Sequence, residues 1–295
     1  MKYLVLAFLT LFSFYSKSQT LHESTYATQS SSDLIFDRSF INCEDQWIAM
    51  SEKEGKYTFG FVYIDCQEGL TLDRGGSFTI NEKGQYQLVQ DSLTKVGIKY
   101  RLSTENNFFV ARIPNEHFEE IGVAEYPDWL ASYKKGIDSA KCLFSHGFIY
   151  NEWNECNTAL NYLNQLAKID SSYPGMNFEF AYAYNCLKLY DKAIPYTKAL
   201  IKSDSTDCLG WKELIYGQLN SGLIFDAASS AEKMLSHCNN NGYKGEATYN
   251  VAQHFYKAND KMNYKKWKKI SLKFLSSESY YRDLLKSDFK VVILN

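Results

Sequence analysis

The stretch Leu189-Tyr190-Asp191-Lys192-Ala193-Ile194 stands at the centre of the periodicity that decides the fold. Its alanine recurs at intervals of 34 residues, and each copy opens a similar helical pattern. The copies are Ala159-Leu160-Asn161-Tyr162, Ala193-Ile194-Pro195-Tyr196 and the more divergent Ala227-Ala228-Ser229-Ser230. A fixed period of about 20–50 residues indicates stacked units, none of which can bury its apolar face alone.

A 34-residue period with two helices in each unit resembles the tetratricopeptide repeat, and residues 140–275 hold four such units. Besides the alanines, the chain matches the family's small eighth position, its aromatic eleventh position and two apolar positions of the third unit. The matching residues are Gly147, Ala181, Tyr150, Tyr184, Trp211 and Leu214. The resemblance implies helical pairs that stack into a superhelix. An unrelated array of helical hairpins is the alternative.

The third and fourth units depart from the family pattern. Ile215 and Tyr249 replace the small eighth residue, and Lys261 stands where the next alanine is due. We therefore expect these two units to pack atypically. Between Lys257 and Lys273 there are seven lysines and one acidic residue. This basic helix is either a solvated cap of the array or a contact for lipid headgroups or an acidic partner.

The resemblance also implies a binding surface, because the first helix of each unit lines the concave face in that family. Its groove positions carry aromatic rings, two amides and one lysine. They are Phe144, Phe148, Asn151, Phe178, Tyr182, Asn185, Lys212 and Tyr216. Rings supply apolar area and amides can bond an extended backbone, so this set favours a peptide or protein over a strongly anionic ligand. The alternative is that the rings pack between helices or against the N-terminal domain.

Residues 33–113 show a period of two instead. Tyr57, Phe59, Phe61 and Tyr63 alternate with smaller or β-branched side chains, which is the pattern of a buried strand. About six such strands without a long helical interval predict an antiparallel β-sandwich or small barrel. A platform of these rings for binding sugars is the alternative to a core.

The two patterns together predict an α+β protein of two domains. The expected segments are a signal peptide (1–18), a flexible N-terminus (19–32), an all-β domain (33–113), a linker with a short helix (114–139), four helical hairpins (140–275) and a C-terminal capping segment (276–295).

The first segment has the features of a bacterial secretory signal peptide. Lys2 gives a basic start, an apolar run extends from Tyr3 to Tyr15, and small residues precede Gln19. We expect cleavage between Ser18 and Gln19 and a periplasmic or secreted mature chain. An uncleaved anchor is the alternative.

All seven cysteines follow the predicted cleavage site. In an oxidising compartment they are expected to pair and to leave one thiol over. The stacking of the repeat family implies two bridges within the helical units, and neighbouring strands suggest a third. The expected pairs are Cys156–Cys186, Cys208–Cys238 and Cys43–Cys66, with Cys142 free.

The chain carries no catalytic or phosphate-binding motif that we recognise. Its 32 basic and 34 acidic residues nearly balance, so no overall field favours nucleic acid. His117 beside Glu120 is interpreted as part of a solvated helical turn, with a weak metal site as the alternative. His146 is interpreted as a buried imidazole in the core. We expect no metal and no cofactor.

These observations favour a secreted, non-enzymatic scaffold that binds a peptide or protein through its repeats. Two other classes stay open: a cell-envelope glycan-binding module centred on the β-domain, and an enzyme without a recognisable motif. A scaffold should show a long groove, a glycan binder an exposed aromatic platform, and an enzyme a deep pocket with converging ionisable groups.

Overall fold

The computed structural model describes residues 33–52, 55–90, 97–106 and 108–289. The predicted signal peptide (1–18) and the segment that follows it to residue 32 lie outside the described residues. Within the described part, strands precede helices along the chain, as an α+β protein requires.

The strands form one antiparallel sheet. They are β1 (Phe36–Arg38), β2 (Gln46–Ser51), β3 (Lys56–Asp65), β4 (Gly69–Ile80), β5 (Tyr86–Val89), β6 (Lys99–Arg101) and β7 (Val110–Arg112). Their order is β1-β7-β2-β3-β4-β5, and β6 pairs with another part of β4. In the described residues β1 and β5 end the sheet without pairing to each other, so the predicted barrel is wrong, and no second sheet forms a sandwich.

One face of the sheet carries the aromatic side chains that the alternation predicted. Phe59, Phe61 and Tyr63 are at most 1% exposed, so these rings form a core and offer no platform to a sugar. Residues 114–139, predicted as a linker, cover this face through Ile121 and Leu130. They include the short helix α1 (Leu130–Lys134).

The other face of the sheet packs on helices. Val62, Ile64 and Leu72 share one buried cluster with Ile149 and Ala159 from the first helical pair. Because helices and a covering segment bury both faces, the long β3–β4 hairpin needs no partner sheet. This is the physical reason why the sandwich prediction fails.

The helices follow as hairpins. They are α2 (Ala140–Glu152) with α3 (Cys156–Ile169), α4 (Met176–Cys186) with α5 (Tyr190–Ser203), α6 (Cys208–Asn220) with α7 (Ile224–His237), α8 (Asn241–Lys257) with α9 (Lys261–Phe274), and a final α10 (Tyr280–Lys286). Each hairpin packs on the next, and α10 contacts both α8 and α9.

The alanines of the repeat lie where the helices approach most closely. Ala159, Ala193 and Ala227 are fully buried. A Cβ on Gly147 would stand 2.7 Å from the Leu163 side chain, which explains the need for a small residue there.

The fourth unit is longer than a fixed period allows. A residue with positive φ joins the two helices of each unit. These residues are Asn154, Lys188, Gly222 and Asn259, and the intervals between successive ones are 34, 34 and 37 residues. Helix α8 has 17 residues, against 13 in α6. As a result Tyr264, and not Lys261, takes the buried place of the preceding alanines.

Three disulfides connect these elements, as an oxidising compartment permits. The bridges Cys156–Cys186 and Cys208–Cys238 have Cα–Cα distances of 6.4 and 5.0 Å, and they are the two pairs that the repeat resemblance implies. The third bridge joins Cys66 to Cys142, with 4.9 Å between the Cα atoms.

The predicted Cys43–Cys66 bridge is wrong, and so is the assignment of Cys142 as the free cysteine. Cys66 lies in the turn between β3 and β4, which meets the N-terminal half of α2. There Ser145 Oγ donates to the Cys66 carbonyl at 2.9 Å. Cys43 is a free, fully buried thiol in the 3₁₀ turn Phe40–Cys43. Burial raises the pKa of this thiol to about 11.

We expect the folded protein to show no reactive thiol and the unfolded, unreduced protein to show one per chain. Burial of Cys43 blocks both access and ionisation, and the other six cysteines are bonded. Titration with Ellman's reagent with and without guanidinium chloride measures this. The Cys43→Ser variant should show none when unfolded, whereas Cys66→Ser should show two. Two or more thiols in the unfolded parent chain would contradict the pairing.

Candidate functional site

The first helices of the four units lie side by side. Helix α2 contacts α4, α4 contacts α6, and α6 contacts α8. Phe148, Tyr182 and Tyr216 are spaced by 34 residues, one on each of the first three of these helices, and we call them the aromatic row. Phe148 is 46% exposed, Tyr216 is 40% exposed, and Tyr182 is half-buried. The row therefore presents ring surface to solvent.

Asn151 and Asn185 do not line this face, contrary to the prediction. Both side chains are buried, at 2% and 4% exposure. Asn151 Nδ2 donates to the backbone oxygen of Glu179 at 2.9 Å and to its Oε2 at 2.8 Å. Asn185 Nδ2 donates in the same way to Glu213, at 3.3 and 2.8 Å. Each amide ties one first helix to the next, so its donor is not available to a ligand backbone.

The two glutamates of these pairs are buried carboxyls. Glu179 is 5% exposed, and its burial raises its pKa to about 7, against the opposing hydrogen bond from Asn151. Burial also raises the pKa of Glu213, against the opposing effects of Lys212 and Asn185. No sequence pattern predicted the Asn151–Glu179 and Asn185–Glu213 pairs, because the partners stand 28 residues apart and only the stacking of the helices brings them together.

We expect the Glu179→Gln variant to be more stable than the parent chain at pH 8, by up to about 3 kcal/mol. Because the pKa of Glu179 is raised in the folded state, its carboxyl group stays protonated above pH 4.5, where the unfolded chain has lost that proton. The free energy of unfolding therefore falls as the pH rises toward about 7. Glutamine keeps an oxygen that accepts from Asn151 and carries no charge.

Urea unfolding at pH 4 and pH 8 measures this difference. The two chains should be nearly equal at pH 4 and should diverge at pH 8. Glu82→Gln, on an exposed residue in the turn between β4 and β5, is the control and should leave the pH dependence unchanged. A Glu179→Gln chain that is less stable than its parent at pH 8 would contradict the buried-carboxyl account.

The other predicted groove residues divide into two groups. Lys212 Nζ lies 3.3 Å from Glu246 Oε1 and 5.6 Å from the ring centre of Tyr243, so it links α6 to α8. Phe144 packs on Tyr173 with 5.0 Å between ring centres. These two side chains serve the packing between units.

The remaining rings lie around the middle of the aromatic row. Phe178 lies 6.4 Å from Tyr182 between ring centres. Tyr190 meets Tyr216 edge to face at 6.0 Å. Burial, with smaller contributions from Glu213, Glu179 and Glu152, raises the pKa of Tyr182 to about 12. The centre of the face therefore places aromatic rings beside three acidic side chains, which become charged only as the pH rises past their raised pKa values.

A buried polar cluster joins the sheet to the first helical pair, and the sequence did not reveal it. Glu44 Oε2 accepts from Tyr150 Oη at 2.5 Å, and its Oε1 lies 3.4 Å from His146 Nε2 and 3.3 Å from Lys134 Nζ. Burial opposes ionisation of Glu44, but the contacts with His146, Tyr150 and Lys134 outweigh it and lower its pKa to about 2.

This cluster holds an ionised carboxylate in place. His146 is fully buried, as predicted, and its Nδ1 lies 2.8 Å from the Cys142 carbonyl oxygen. A cleft of about 210 Å³ reaches Glu44 from the side of the sheet. The arrangement is suited to fixing the sheet on the helices, since both imidazole nitrogens face oxygen atoms.

His117 lies in a second network, where the sequence predicted a solvated turn. Its Nδ1 lies 2.7 Å from Glu120 Oε2, its Nε2 lies 3.0 Å from Asp33 Oδ2, and its ring stacks on Tyr86 at 3.9 Å. Burial opposes protonation, but hydrogen bonds to Glu120 and Asp33 raise its pKa. Within the described ranges, no group of three or more His, Cys, Asp or Glu side chains is placed to hold a metal ion.

Comparisons with known proteins identify one weakly similar solved structure and no matching family model. No protein-family model matches the chain, and no curated protein matches it. A solved structure titled "MamA RS-1 ArsTM double mutant" is similar to 50% of this chain and 81% of its own, with 10% identity and a TM-score of 0.44. At that TM-score the likeness carries no argument about function.

In the portion of the chain that the structure describes, no helix has both the length and the apolar character needed to cross a membrane.

Proposed function

We propose that the protein is a secreted, non-enzymatic scaffold of tetratricopeptide type that holds an extended peptide segment of a partner against the aromatic row. The observation that carries this proposal is the exposure of Phe148 and Tyr216 at equivalent places on two first helices, with Tyr182 between them. Large rings repeated on one face at a fixed spacing are the kind of surface that a partner covers.

The spacing of the rings fits an extended chain. Packed helices stand about 8–10 Å apart, so successive rings of the row are separated by about that distance. A peptide in the extended polyproline II conformation advances about 3.1 Å per residue with three residues per turn, so every third side chain points the same way and would meet the next ring. The partner segment is therefore one with apolar side chains about three residues apart.

The acidic side chains near Tyr182 restrict the class of peptide that can bind. Three carboxyl groups, those of Glu152, Glu179 and Glu213, act on this tyrosine. Where the pH is high enough to ionise these carboxyl groups, an acidic segment would be repelled there, and a neutral or basic segment would not. This supports a peptide or protein ligand that is not strongly anionic.

Export to the periplasm or beyond the cell, with cleavage between Ser18 and Gln19, is part of the proposal. The three disulfides support it, because such bonds persist in oxidising compartments. No observation on the sheet favours the glycan-binding alternative, since its central rings are buried. No specific observation favours the other alternative, an enzyme without a recognisable motif.

A phage-displayed library of random peptides, selected on the immobilised full chain, tests the proposal. We expect selected peptides to bind the Phe148→Ala/Tyr216→Ala variant at least about tenfold more weakly, because two exposed contact rings are removed. The melting temperature should fall only modestly, since 46% of Phe148 and 40% of Tyr216 are already exposed to solvent. Fluorescence titration of one synthetic peptide gives the affinities.

Phe225→Ala is the matched control. This ring is 70% exposed but lies on α7, a second helix, outside the aromatic row. Peptide affinity should survive this change. A library that yields no binder, or a binder equally affected by both variants, would argue against a groove on the first helices.

A further inference from the structure

Helix α9 carries an isolated positive surface. Six of its residues are lysines and none is acidic. Lys266 pairs with Glu232 and Lys268 with Asp288, at 2.7 and 2.6 Å. The other four are exposed and form no ion pair within the described residues. They are Lys261, Lys265, Lys269 and Lys273, which we call the lysine ridge.

The spacing of the ridge places its charges in a row. Residues four apart lie one above another on a helix, and at about 1.5 Å per residue the four lysines span about 18 Å. Like charges at this spacing destabilise a helix. The protein as a whole has 32 basic and 34 acidic residues, so the ridge is a local concentration of charge.

Capping of the array does not account for the ridge. Helix α10 packs against α8 and α9, and its Leu285 is fully buried in their cluster. Tyr281 of α10 also packs on Tyr249, with 4.5 Å between ring centres. The array therefore already has a terminal helix. An exposed face on α9 requires polar residues, but it does not require four unpaired lysines in a row.

Apolar surface adjoins the charges. Met262 follows Lys261 and is 77% exposed. A cleft of about 450 Å³ opens beside the ridge, and the one carboxylate in it, Asp288, is held by Lys268 and by Tyr264 Oη. The residues lining this cleft are Tyr264, Lys265, Lys268, Lys269, Leu272 and Asp288.

We propose that the lysine ridge docks the protein on the surface of an anionic lipid bilayer. Ammonium groups at regular intervals pair with headgroup phosphates, and the exposed Met262 enters the interface between headgroups and acyl chains. A linear polyanion would use the charges but would gain nothing from the apolar side chain. The ridge lies on a second helix and shares no residue with the aromatic row, so the two proposals stand or fall separately.

Co-sedimentation with large unilamellar vesicles tests this docking. We expect the full chain to bind vesicles of equal parts phosphatidylglycerol and phosphatidylcholine, and not vesicles of phosphatidylcholine alone. Added salt should weaken the binding. Each lysine near an anionic surface contributes about fivefold to partitioning, so Lys265→Gln/Lys269→Gln should lose about 25-fold. Lys261→Gln/Lys273→Gln provides a second variant of equal charge change.

The matched control is Lys198→Gln/Lys202→Gln, which removes two exposed lysines of the same spacing from α5. It should bind anionic vesicles as the parent chain does, and so should Phe148→Ala/Tyr216→Ala. The proposal is overturned by equal binding to both vesicle types, by equal losses in ridge and control variants, or by no binding at low salt. Ridge-dependent binding to heparin without binding to anionic vesicles would also overturn it and would indicate a polyanion.

Discussion

The sheet and the first helical pair bury each other's apolar faces, and the rest of the molecule depends on this contact. Val62, Ile64 and Leu72 pack against Ile149 and Ala159. Each of the Val, Ile and Leu side chains contributes about 1.5–3 kcal/mol when it is buried, so neither partner would keep its structure at the same stability alone. The Cys66–Cys142 bridge and the hydrogen bond from Tyr150 to Glu44 fix the relative position of the two elements.

From this fixed start the helical array extends by repetition. The Asn151–Glu179 and Asn185–Glu213 pairs place α4 beside α2 and α6 beside α4, so rings spaced by 34 residues come to lie on one face. The same geometry that buries the amides exposes the aromatic row. The lysine ridge lies on α9, the second helix of the fourth unit, whereas the aromatic row lies on the first helices of the first three units.

Local patterns made the helical part predictable and left long-range contacts hidden. The buried alanines and the two inter-helical disulfides follow from a period that can be read in the sequence. The extra length of the fourth unit could not be predicted, because an added turn inside a helix does not change the amino-acid composition noticeably. The Cys66–Cys142 bridge spans 76 residues and the Glu44–Tyr150 hydrogen bond 106, and both depend on how the sheet docks on α2. The exposed rings of the predicted groove keep their proposed role. The amides of Asn151 and Asn185 instead bond neighbouring helices, and these contacts also depend on how distant parts of the chain pack.

The most direct test of the shared core is native-state hydrogen exchange on the Ile149→Ala variant. Ile149 belongs to α2 but packs in the cluster that includes β3 and β4, and its truncation should cost about 2–5 kcal/mol. We expect the opening free energies of amides in α2–α3 and in β3–β4 to fall together by the same amount, since the two elements open as one cooperative unit. A loss confined to α2–α3, with β3–β4 amides unchanged, would contradict the account.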